Sequence, residues 1–241
     1  MIRHFLHTAI IVVWVVSVTI LLGILVILIA LVSRKGNLPH LIARAWARSI
    51  LLVSGIRVRI SGLENLDLNQ SCILMPNHQS NFDIPVLLGC LPVQFRWLAK
   101  AELFKIPIFG RGMRGCGYIS IDRSNRKSAF LSLKEAAEKI RSGVSVLIFP
   151  EGTRSRDGHI QTFKKGGFVL SVDAGVPIVP IVITGTRHIM PKGRLLIRAQ
   201  PVEMKILEPI PTSGYTRKTK DDLMQTVRET IRTTFNESTS E

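Results

Sequence analysis

The first feature of the chain is an unbroken apolar run near its N-terminus. Ala9–Val32 holds 24 residues without a charged side chain, and only Ser17, Thr19 and Gly23 are not apolar. A helix of this length reaches about 36 Å at ~1.5 Å per residue, which exceeds a hydrocarbon core of ~30 Å. A cleaved signal peptide and a buried core helix are the alternatives, but the run is long for either. The pattern predicts a membrane anchor helix in residues 1–36.

The next segment, His40–Gly55, has a different pattern. Mostly apolar residues recur in it at helical spacing, and Arg44 and Arg48 lie four residues apart on one face. The recurring residues are Leu41, Ile42, Ala45, Trp46, Ser49, Ile50 and Val53. The pattern predicts an amphipathic interfacial helix in residues 37–56, lying along the membrane or on the following domain. Together the two segments could instead form a hairpin that enters one leaflet, and the sequence leaves that choice open.

From residue 57 onward, short apolar runs alternate with helical patterns. The predicted strands are Val58–Ile60, Cys72–Met75, Arg96–Ala99, Tyr118–Ile121, Val144–Phe149, Ile178–Thr184, Leu195–Arg198 and Val202–Ile206. The predicted helical segments are Ile84–Cys90, Ala101–Lys105, Lys127–Ser142, Phe168–Ala174 and a last helix through Leu223, Val227, Ile231 and Phe235, with Asn236–Glu241 expected to fray. The alternation predicts an α/β domain over residues 57–241, whose mostly parallel mixed sheet is flanked by helices and finishes in antiparallel strands.

The distribution of charge predicts how the protein is oriented in the membrane and which class of partner it binds. The 32 Lys and Arg residues exceed the 17 Asp and Glu residues, which gives a formal net charge of +15. Arg34, Lys35, Arg44 and Arg48 follow the apolar run, whereas only Arg3 precedes it, so the positive-inside bias places the domain in the cytoplasm. Beside a membrane anchor, this charge favours anionic lipid headgroups. Nucleic acid is disfavoured, because aromatic residues are only 6% and no nucleic-acid motif is present.

A polar turn follows the second predicted strand and precedes a predicted helix. It reads N-H-Q-S-N-F-D over residues 77–83, at the carboxyl end of a strand, where α/β sheets build their sites. Such a turn can bring the Asp83 carboxylate to one imidazole nitrogen of His78. The carboxylate would fix the tautomer and leave the other nitrogen as a general base. On the residues alone, Asp83 as the N-cap of the helix and His78 as an ordinary loop histidine stay open.

Three further blocks contain candidate chemistry or a buried strand. F-P-E-G-T-R-S over residues 149–155 follows a buried strand, where Gly152 permits close backbone approach and Arg154 offers a forked contact suited to phosphate. G-Y-I-S-I-D-R over residues 117–123 delivers Arg123 at a strand end. V-P-I-V-P-I over residues 176–181 is a buried strand bracketed by prolines, which favours a place near a sheet edge or bulge.

A glycine-rich stretch suggests a rival function. G-R-G-M-R-G over residues 110–115 matches the G-x-G-x-x-G spelling of dinucleotide sites. A strand should precede such a site and a helix should begin inside it, whereas here a predicted strand follows the glycines. The glycines are therefore predicted to form a turn, and an oxidoreductase is disfavoured. The three cysteines form no C-x-x-C pair, which argues against a zinc ribbon and a disulfide framework.

Taken in order, H-x-x-x-x-D at His78 and Asp83 and the blocks at 117–123, 149–155 and 176–181 resemble the glycerolipid acyltransferases, specifically the bacterial 1-acylglycerol-3-phosphate acyltransferases. The resemblance implies a glycerol-3-phosphate acyltransferase-like fold at the inner membrane. It implies acyl transfer from an acyl carrier protein or coenzyme A thioester to the sn-2 hydroxyl of a lysophosphatidic acid. Another acceptor (glycerol 3-phosphate, a lyso-ornithine lipid or another lysophospholipid) and a non-catalytic lipid-binding protein are the alternatives.

The same resemblance implies roles for single residues. His78 is implied as the base and Asp83 as its orienting partner. The residues implied in substrate binding are Lys100, Arg123, Glu151, Gly152, Thr153 and Arg154. Ser120 departs from the pattern, in which Phe is common, although Arg123 is in place. The block at residues 176–181 is expected to shape the site and the acyl pocket, and no metal or redox cofactor is implied.

Overall fold

The computed structural model describes residues 2–33 and 35–240, and it begins with two helices. α1 (Ile2–Val32) contains the apolar run, and α2 (Asn37–Val53) contains the amphipathic pattern. Gly36 reverses the chain between them with a φ of 70°, a left-handed conformation that glycine adopts without steric cost. The basic residue Arg34, which contributed to the predicted orientation, lies outside the described residues.

The rest of the chain alternates strands and helices, as predicted. The strands are β1 (Val58–Ser61), β2 (Ile73–Pro76), β3 (Phe95–Lys100), β4 (Ile119–Ile121), β5 (Ser145–Leu147), β6 (Ile178–Thr184) and β7 (Val202–Ile206). The remaining helices are α3 (Asp83–Cys90), α4 (Phe109–Gly115), α5 (Arg126–Arg141), α6 (Gly166–Ala174), α7 (Thr186–Ile189) and α8 (Lys220–Ser240). Leu63–Asn65 and Ala101–Lys105 form 3₁₀ turns.

The strands form one mixed sheet in the order β1-β7-β6-β2-β5-β3-β4. Only β6 and β7 pair antiparallel, so the predicted fold class is confirmed. Helices α1 to α4 cover one face, and α5, α6 and α8 cover the other. Leu74 of β2 packs in the apolar cluster on the side of α1 to α4, and Ile73 packs in the cluster on the side of α5, α6 and α8. Because both faces of this central strand are buried, it is apolar at successive positions.

Helix α2 packs between α1 and α3. Arg44 Nη2 donates to the carbonyl of Val93 at 2.9 Å, and Arg48 Nε donates to the carbonyl of Gly89 at 2.8 Å. These carbonyls lie at and just beyond the C-terminal end of α3, where main-chain acceptors lack helical partners. The basic face of α2 therefore attaches this helix to the domain, in addition to contributing positive charge.

Helix α4 corrects the predicted glycine turn at residues 110–115. A Cβ on Gly115 would lie 3.0 Å from Ala30 Cβ and 3.2 Å from Val26 Cγ1, and a Cβ on Gly112 would lie 3.8 Å from the backbone of Gly23. The missing side chains let α4 approach α1 closely. That packing outweighs the low helix propensity of glycine.

Two other sequence predictions were wrong. Leu195–Arg198 forms no strand, because its main chain bonds elsewhere: the Ile197 N–H donates to Thr8 Oγ1 of α1 at 3.0 Å. The predicted frayed end continues as helix α8 to Ser240, where the hydroxyls of Ser238 and Thr239 donate to carbonyls four residues back.

Candidate active site

The site begins where β2 ends. Asn77 is fully buried, and its Nδ2 donates to the Ile183 carbonyl at 2.9 Å while the Ile183 N–H donates to its Oδ1 at 2.7 Å. The pair of bonds fixes the direction in which the chain leaves the sheet. Sequence reasoning missed this contact, because its two residues are 106 positions apart.

The five-residue spacing brings His78 and Asp83 together. His78 Nδ1 lies 2.7 Å from Asp83 Oδ2, and the same oxygen accepts the N–H groups of Gln79 and Ser80 at 2.7 and 2.8 Å. The predicted N-cap role is wrong: Phe82 holds that position, and the carboxylate closes the turn onto the histidine instead. The Asp83 side chain is fully buried, which strengthens the hydrogen bonds of a charged acceptor. With Nδ1 engaged, Nε2 is the ring nitrogen available to a substrate.

An aromatic pair fixes the plane of the imidazole. The His78 ring stacks on Phe149, with ring centroids 3.7 Å apart and 12° between the planes. Phe149 in turn contacts Trp97, with centroids 5.5 Å apart. Stacking restricts rotation of the imidazole, so the carboxylate and the phenyl ring together set its orientation. The role of Phe149 was not predicted, because the residue follows β5 whereas His78 follows β2.

Glu151 is buried beneath the same turn. Its Oε1 accepts the N–H of His78 at 2.7 Å, and its Oε2 accepts the N–H of Gln161 at 2.9 Å. Burial raises the pKa of Glu151 to about 7, although the two N–H donors oppose the shift. Glu151 does not line the cavity described next. The structure thus places this candidate binding residue as a support of the His78 backbone.

His78 borders a cavity of about 420 Å³. Most of its wall is apolar and comes from α1, α2, α3, α4 and β3, and among the polar residues of the wall are Lys100, Arg123, Thr153 and Arg154. An apolar cavity with a few convergent polar groups is the usual form of a small-ligand site.

The block at residues 176–181 has a different place from the one expected. None of these described residues lines the cavity. Most of the block belongs to β6, an interior strand between β7 and β2 rather than an edge. Pairing with β7 begins at Ile181, one residue after Pro180. The block therefore supports the site from within the sheet, where the carbonyl of Ile181 accepts the N–H of Asn77 at 3.3 Å.

The predicted cations differ in their partners. Arg123 donates to the carbonyl of Gly152, whose φ of 73° and missing Cβ allow the close approach that was predicted. Lys100 pairs with Glu102 at 3.2 Å, with both side chains exposed. Neither Arg123 nor Arg154 forms an ion pair with a carboxylate in the described part of the chain. Two guanidinium groups without counter-ions are suited to hold an anionic substrate.

Lys192 belongs to none of the motifs, and sequence reasoning missed it. Its Nζ donates to Thr153 Oγ1 at 3.0 Å and to the Arg154 carbonyl at 2.7 Å. Partial burial, Arg156 and Arg154 lower the pKa of Lys192. The lysine holds the turn that presents Arg154, and it reaches this turn from the loop after α7, which no sequence signal connects to residues 149–155.

The structure thus combines a mixed sheet, a His-Asp turn and an adjoining apolar cavity. The family model described as Acyltransferase matches residues 57–184, and the chain belongs to that family. The predicted resemblance is confirmed.

Individual relatives show which members of the family the chain is similar to. The chain is 40% identical over 160 residues to a 1-acyl-sn-glycerol-3-phosphate acyltransferase of Brassica napus chloroplasts, covering 66% of this chain and 46% of that protein. It is 35% identical over 198 residues to a 1-acyl-sn-glycerol-3-phosphate acyltransferase of Limnanthes douglasii, covering 81% and 68%. The crystal structure of the 1-acyl-sn-glycerophosphate acyltransferase PlsC from Thermotoga maritima superposes with a TM-score of 0.85 at 30% identity, over 100% of this chain and 98% of that one. The chain spans less than half the length of the Brassica relative.

Proposed function

We propose that the protein transfers a fatty acyl group from a thioester to the sn-2 hydroxyl of 1-acyl-sn-glycerol 3-phosphate, giving phosphatidic acid. One observation carries the proposal: His78, which is paired with Asp83, borders an apolar cavity that Arg123 and Arg154 also line. The pair supplies a proton acceptor, the cavity supplies space for an acyl chain, and the guanidinium groups supply positive charge for a phosphate. The relatives described above are acyltransferases of 1-acyl-sn-glycerol 3-phosphate.

His78 acts first as base and then as acid. Nε2 takes the proton of the sn-2 hydroxyl while its oxygen attacks the thioester carbonyl, and a tetrahedral oxyanion forms. Collapse of this intermediate breaks the carbon–sulfur bond, and the imidazolium returns the proton to the departing thiolate. Asp83 holds the ring through Nδ1 and stabilises the imidazolium between the two steps. A positioned base of this kind contributes ~10²–10⁴-fold to the rate.

The acceptor phosphate binds close to His78, because it is carried by the carbon next to the one with the reacting hydroxyl. Arg123 and Arg154 offer it forked contacts, and Lys100 and Thr153 line the same cavity. The donor is a thioester of coenzyme A or of an acyl carrier protein. The reaction written here needs no metal or redox cofactor, and nucleic acid is no partner in it.

The apolar helix α1 supports membrane association. Over His4–Val32 it is long and apolar enough to cross a bilayer. We place the domain on the cytoplasmic side of the inner membrane, because Arg34 and Lys35 follow the apolar run whereas only Arg3 precedes it. Arg44 and Arg48 argue less for this orientation, since both donate to main-chain carbonyls of the domain.

An acceptor panel tests the proposal. The full chain, purified in detergent, receives one labelled long-chain acyl donor and, in parallel, lysophosphatidic acid, glycerol 3-phosphate, a lyso-ornithine lipid and a lysophospholipid with a larger headgroup. We expect label in phosphatidic acid well above every other product. Preference for an acceptor without a terminal phosphate would overturn the assigned acceptor.

Two variants test the assigned residues in the same assay. Arg154→Ala should raise the KM for lysophosphatidic acid more than the KM for the donor, because the lost contact is to the acceptor phosphate. His188→Ala is the matched control for His78→Ala, since His188 is exposed and does not line the cavity. A larger effect of Arg154→Ala on the donor KM would contradict the phosphate role.

A further inference from the structure

The loop that follows α7 carries an exposed leucine between two exposed arginines. Leu195 is 83% exposed, Arg194 precedes it, and Arg198 follows it. Within residues 2–33 and 35–240, neither arginine forms an ion pair with a carboxylate. One exposed leucine is common on a protein surface, so the place of this loop in the fold decides what the leucine can bind.

Hydrogen bonds hold the loop at both ends. Where it begins, Ser80 Oγ, in the polar turn after β2, donates to the carbonyl of Met190 at 2.9 Å. Where it ends, the N–H of Ile197 donates to Thr8 Oγ1 of α1 at 3.0 Å. Leu195 is therefore presented to the surface by a loop that is fixed on both sides.

Exposed apolar side chains lie beside the loop, where the first turns of α1 meet the end of α2. A Cβ on Gly55, just after α2, would lie 3.8 Å from Ala199 Cβ. Leu52, in the last turn of α2, is 80% exposed, and Phe5, in the first turn of α1, is 61% exposed. Leu195 thus shares one end of the helical hairpin with exposed apolar residues of both helices.

We propose that this loop is a membrane contact additional to α1, in which Leu195 enters the interface of an anionic bilayer while Arg194 and Arg198 bind lipid phosphates. The exposed apolar residues are continuous with α1, whose length and apolar composition support membrane association. Apolar side chains beside guanidinium groups without counter-ions are complementary to a surface with an apolar interior and anionic phosphates. Arginine suits this role, because its forked donors match a phosphate group.

The same loop connects this membrane contact to the active site. Its residue Lys192 holds the turn that presents Arg154, through Thr153 Oγ1 and the Arg154 carbonyl. A loop that rests on the bilayer keeps Arg154 near the lipid headgroups, where an anionic acceptor lies. This consequence rests on the proposed acyl transfer, whereas the membrane contact itself does not.

A fluorescent label at position 195 tests the contact. Leu195→Cys and the control Leu131→Cys are made in the full chain with Cys90→Ser, because Cys72 and Cys116 are buried. Leu131 is 57% exposed on α5, on the face of the sheet opposite to α1. Each protein is labelled with an environment-sensitive maleimide dye, beside the Cys90→Ser protein as a blank. The proteins are then transferred from detergent into vesicles of phosphatidylcholine with or without phosphatidylglycerol.

The label at position 195 should enter the anionic vesicles. We expect its emission to shift to the blue and to be quenched by lipids spin-labelled on the acyl chain, whereas the label at position 131 does neither. Arg194→Gln and Arg198→Gln should each lower the ratio of inserted to free label at 195 about fivefold on anionic vesicles, and leave it unchanged on phosphatidylcholine.

Two results would overturn the membrane contact. One is an equal response of the labels at positions 195 and 131 on anionic vesicles. The other is an emission at 195 that depends on protein concentration in detergent and not on lipid, which would assign the surface to a second copy of the chain.

Turnover tests the connection to the active site. Leu195 does not line the cavity, so Leu195→Ser should keep the parent rate in detergent and have a several-fold lower rate on phosphatidylglycerol vesicles. An equal ratio of the two rates in variant and parent would reject the connection. Insertion of the label in a protein that transfers no acyl group would keep the membrane contact and reject the proposed function.

Discussion

Two histidines with low exposure have opposite surroundings. His78 contacts a carboxylate at 2.7 Å and borders the cavity. His40 of α2 is fully buried, and its Nδ1 lies 3.1 Å from the hydroxyl of Tyr118. Burial, with the guanidinium groups of Arg96 and Arg44 nearby, lowers the pKa of His40 to about 3. In the proposed reaction the first imidazole accepts a proton, whereas the second is held neutral.

The difference shows what makes an interior imidazole useful as a base. A carboxylate at Nδ1 stabilises the imidazolium, whereas desolvation and guanidinium groups destabilise it. His40 is thus a packing group that happens to be polar, and the edge of its ring meets Phe95 with centroids 4.8 Å apart. Four measurements test this contrast between His78 and His40.

The largest expected effect is the difference in rate between a variant that lacks the His78 imidazole and one that lacks the His40 imidazole. His78→Ala should lower phosphatidic acid formation by about 10²–10⁴-fold, because the hydroxyl loses its proton acceptor. His40→Phe should keep most of the activity, because its imidazole does not line the cavity. Product formation by both purified variants is the measurement, with circular dichroism as the control for folding. Similar rates for the two variants would remove the contrast.

The carboxylate partner of His78 is the second test. Asp83→Asn keeps an oxygen that can accept the N–H groups of Gln79 and Ser80, so the turn should persist. It removes the negative charge that stabilises the imidazolium, and activity should fall by about 10²-fold. The measurement is kcat at saturating acceptor. Full activity in a folded Asp83→Asn protein would show that geometry without charge is enough.

His40 and Tyr118 form the third test, which concerns stability. His40→Phe removes one of two partners of the buried Tyr118 hydroxyl, which also hydrogen-bonds with Cys116, at a cost of about 1 kcal/mol. Adding Tyr118→Phe should recover much of this loss, since both polar groups are then absent. Chemical unfolding of the two variants in detergent gives the free energies. A double variant that is less stable than His40→Phe alone would show that the Tyr118 hydroxyl stabilises the protein in another way than through its hydrogen bond with His40.

Acid titration gives the smallest and most specific effect. Because the folded pKa of His40, about 3, is below its ordinary 6.5, its contribution to stability is complete above pH 6.5 and is lost as the pH falls. Glu151 has the opposite sign, since its folded pKa of about 7 exceeds its ordinary 4.5: its contribution is complete below pH 4.5 and is lost as the pH rises through 7. Each group contributes a slope of at most about 1.4 kcal/mol per pH unit.

Variants separate these two opposing slopes. Between pH 6.5 and 5.5, Glu151→Gln should lose more stability than the parent protein for each unit of acidification. The His40→Phe/Tyr118→Phe double variant should instead gain stability relative to the parent. Chemical unfolding at a series of pH values measures both, and parallel curves for all three proteins would contradict the assigned shifts.

The sequence predicted what is local and missed what is distant. The contact of His78 with Asp83 follows from one turn, and the α/β alternation follows from short apolar runs. The bonds of Asn77 to Ile183 and of His40 to Tyr118 join residues 106 and 78 positions apart, which no spacing rule connects. The turn predicted for the glycines of α4 was wrong for a related reason. These residues form a helix because they pack closely on α1, which is distant in the sequence.

Three contacts of α1 with the rest of the protein limit which helices could replace it. Any foreign membrane helix of equal length would keep the chain at the bilayer. It would not reproduce the spacing of Thr8, Thr19 and Ala30, which meet three separate parts of the protein. A chimaera made in this way should bind lipid vesicles normally and lack a sealed substrate compartment. The N-terminal helix is therefore expected to tolerate exchange of its lipid-facing leucines far better than exchange as a whole.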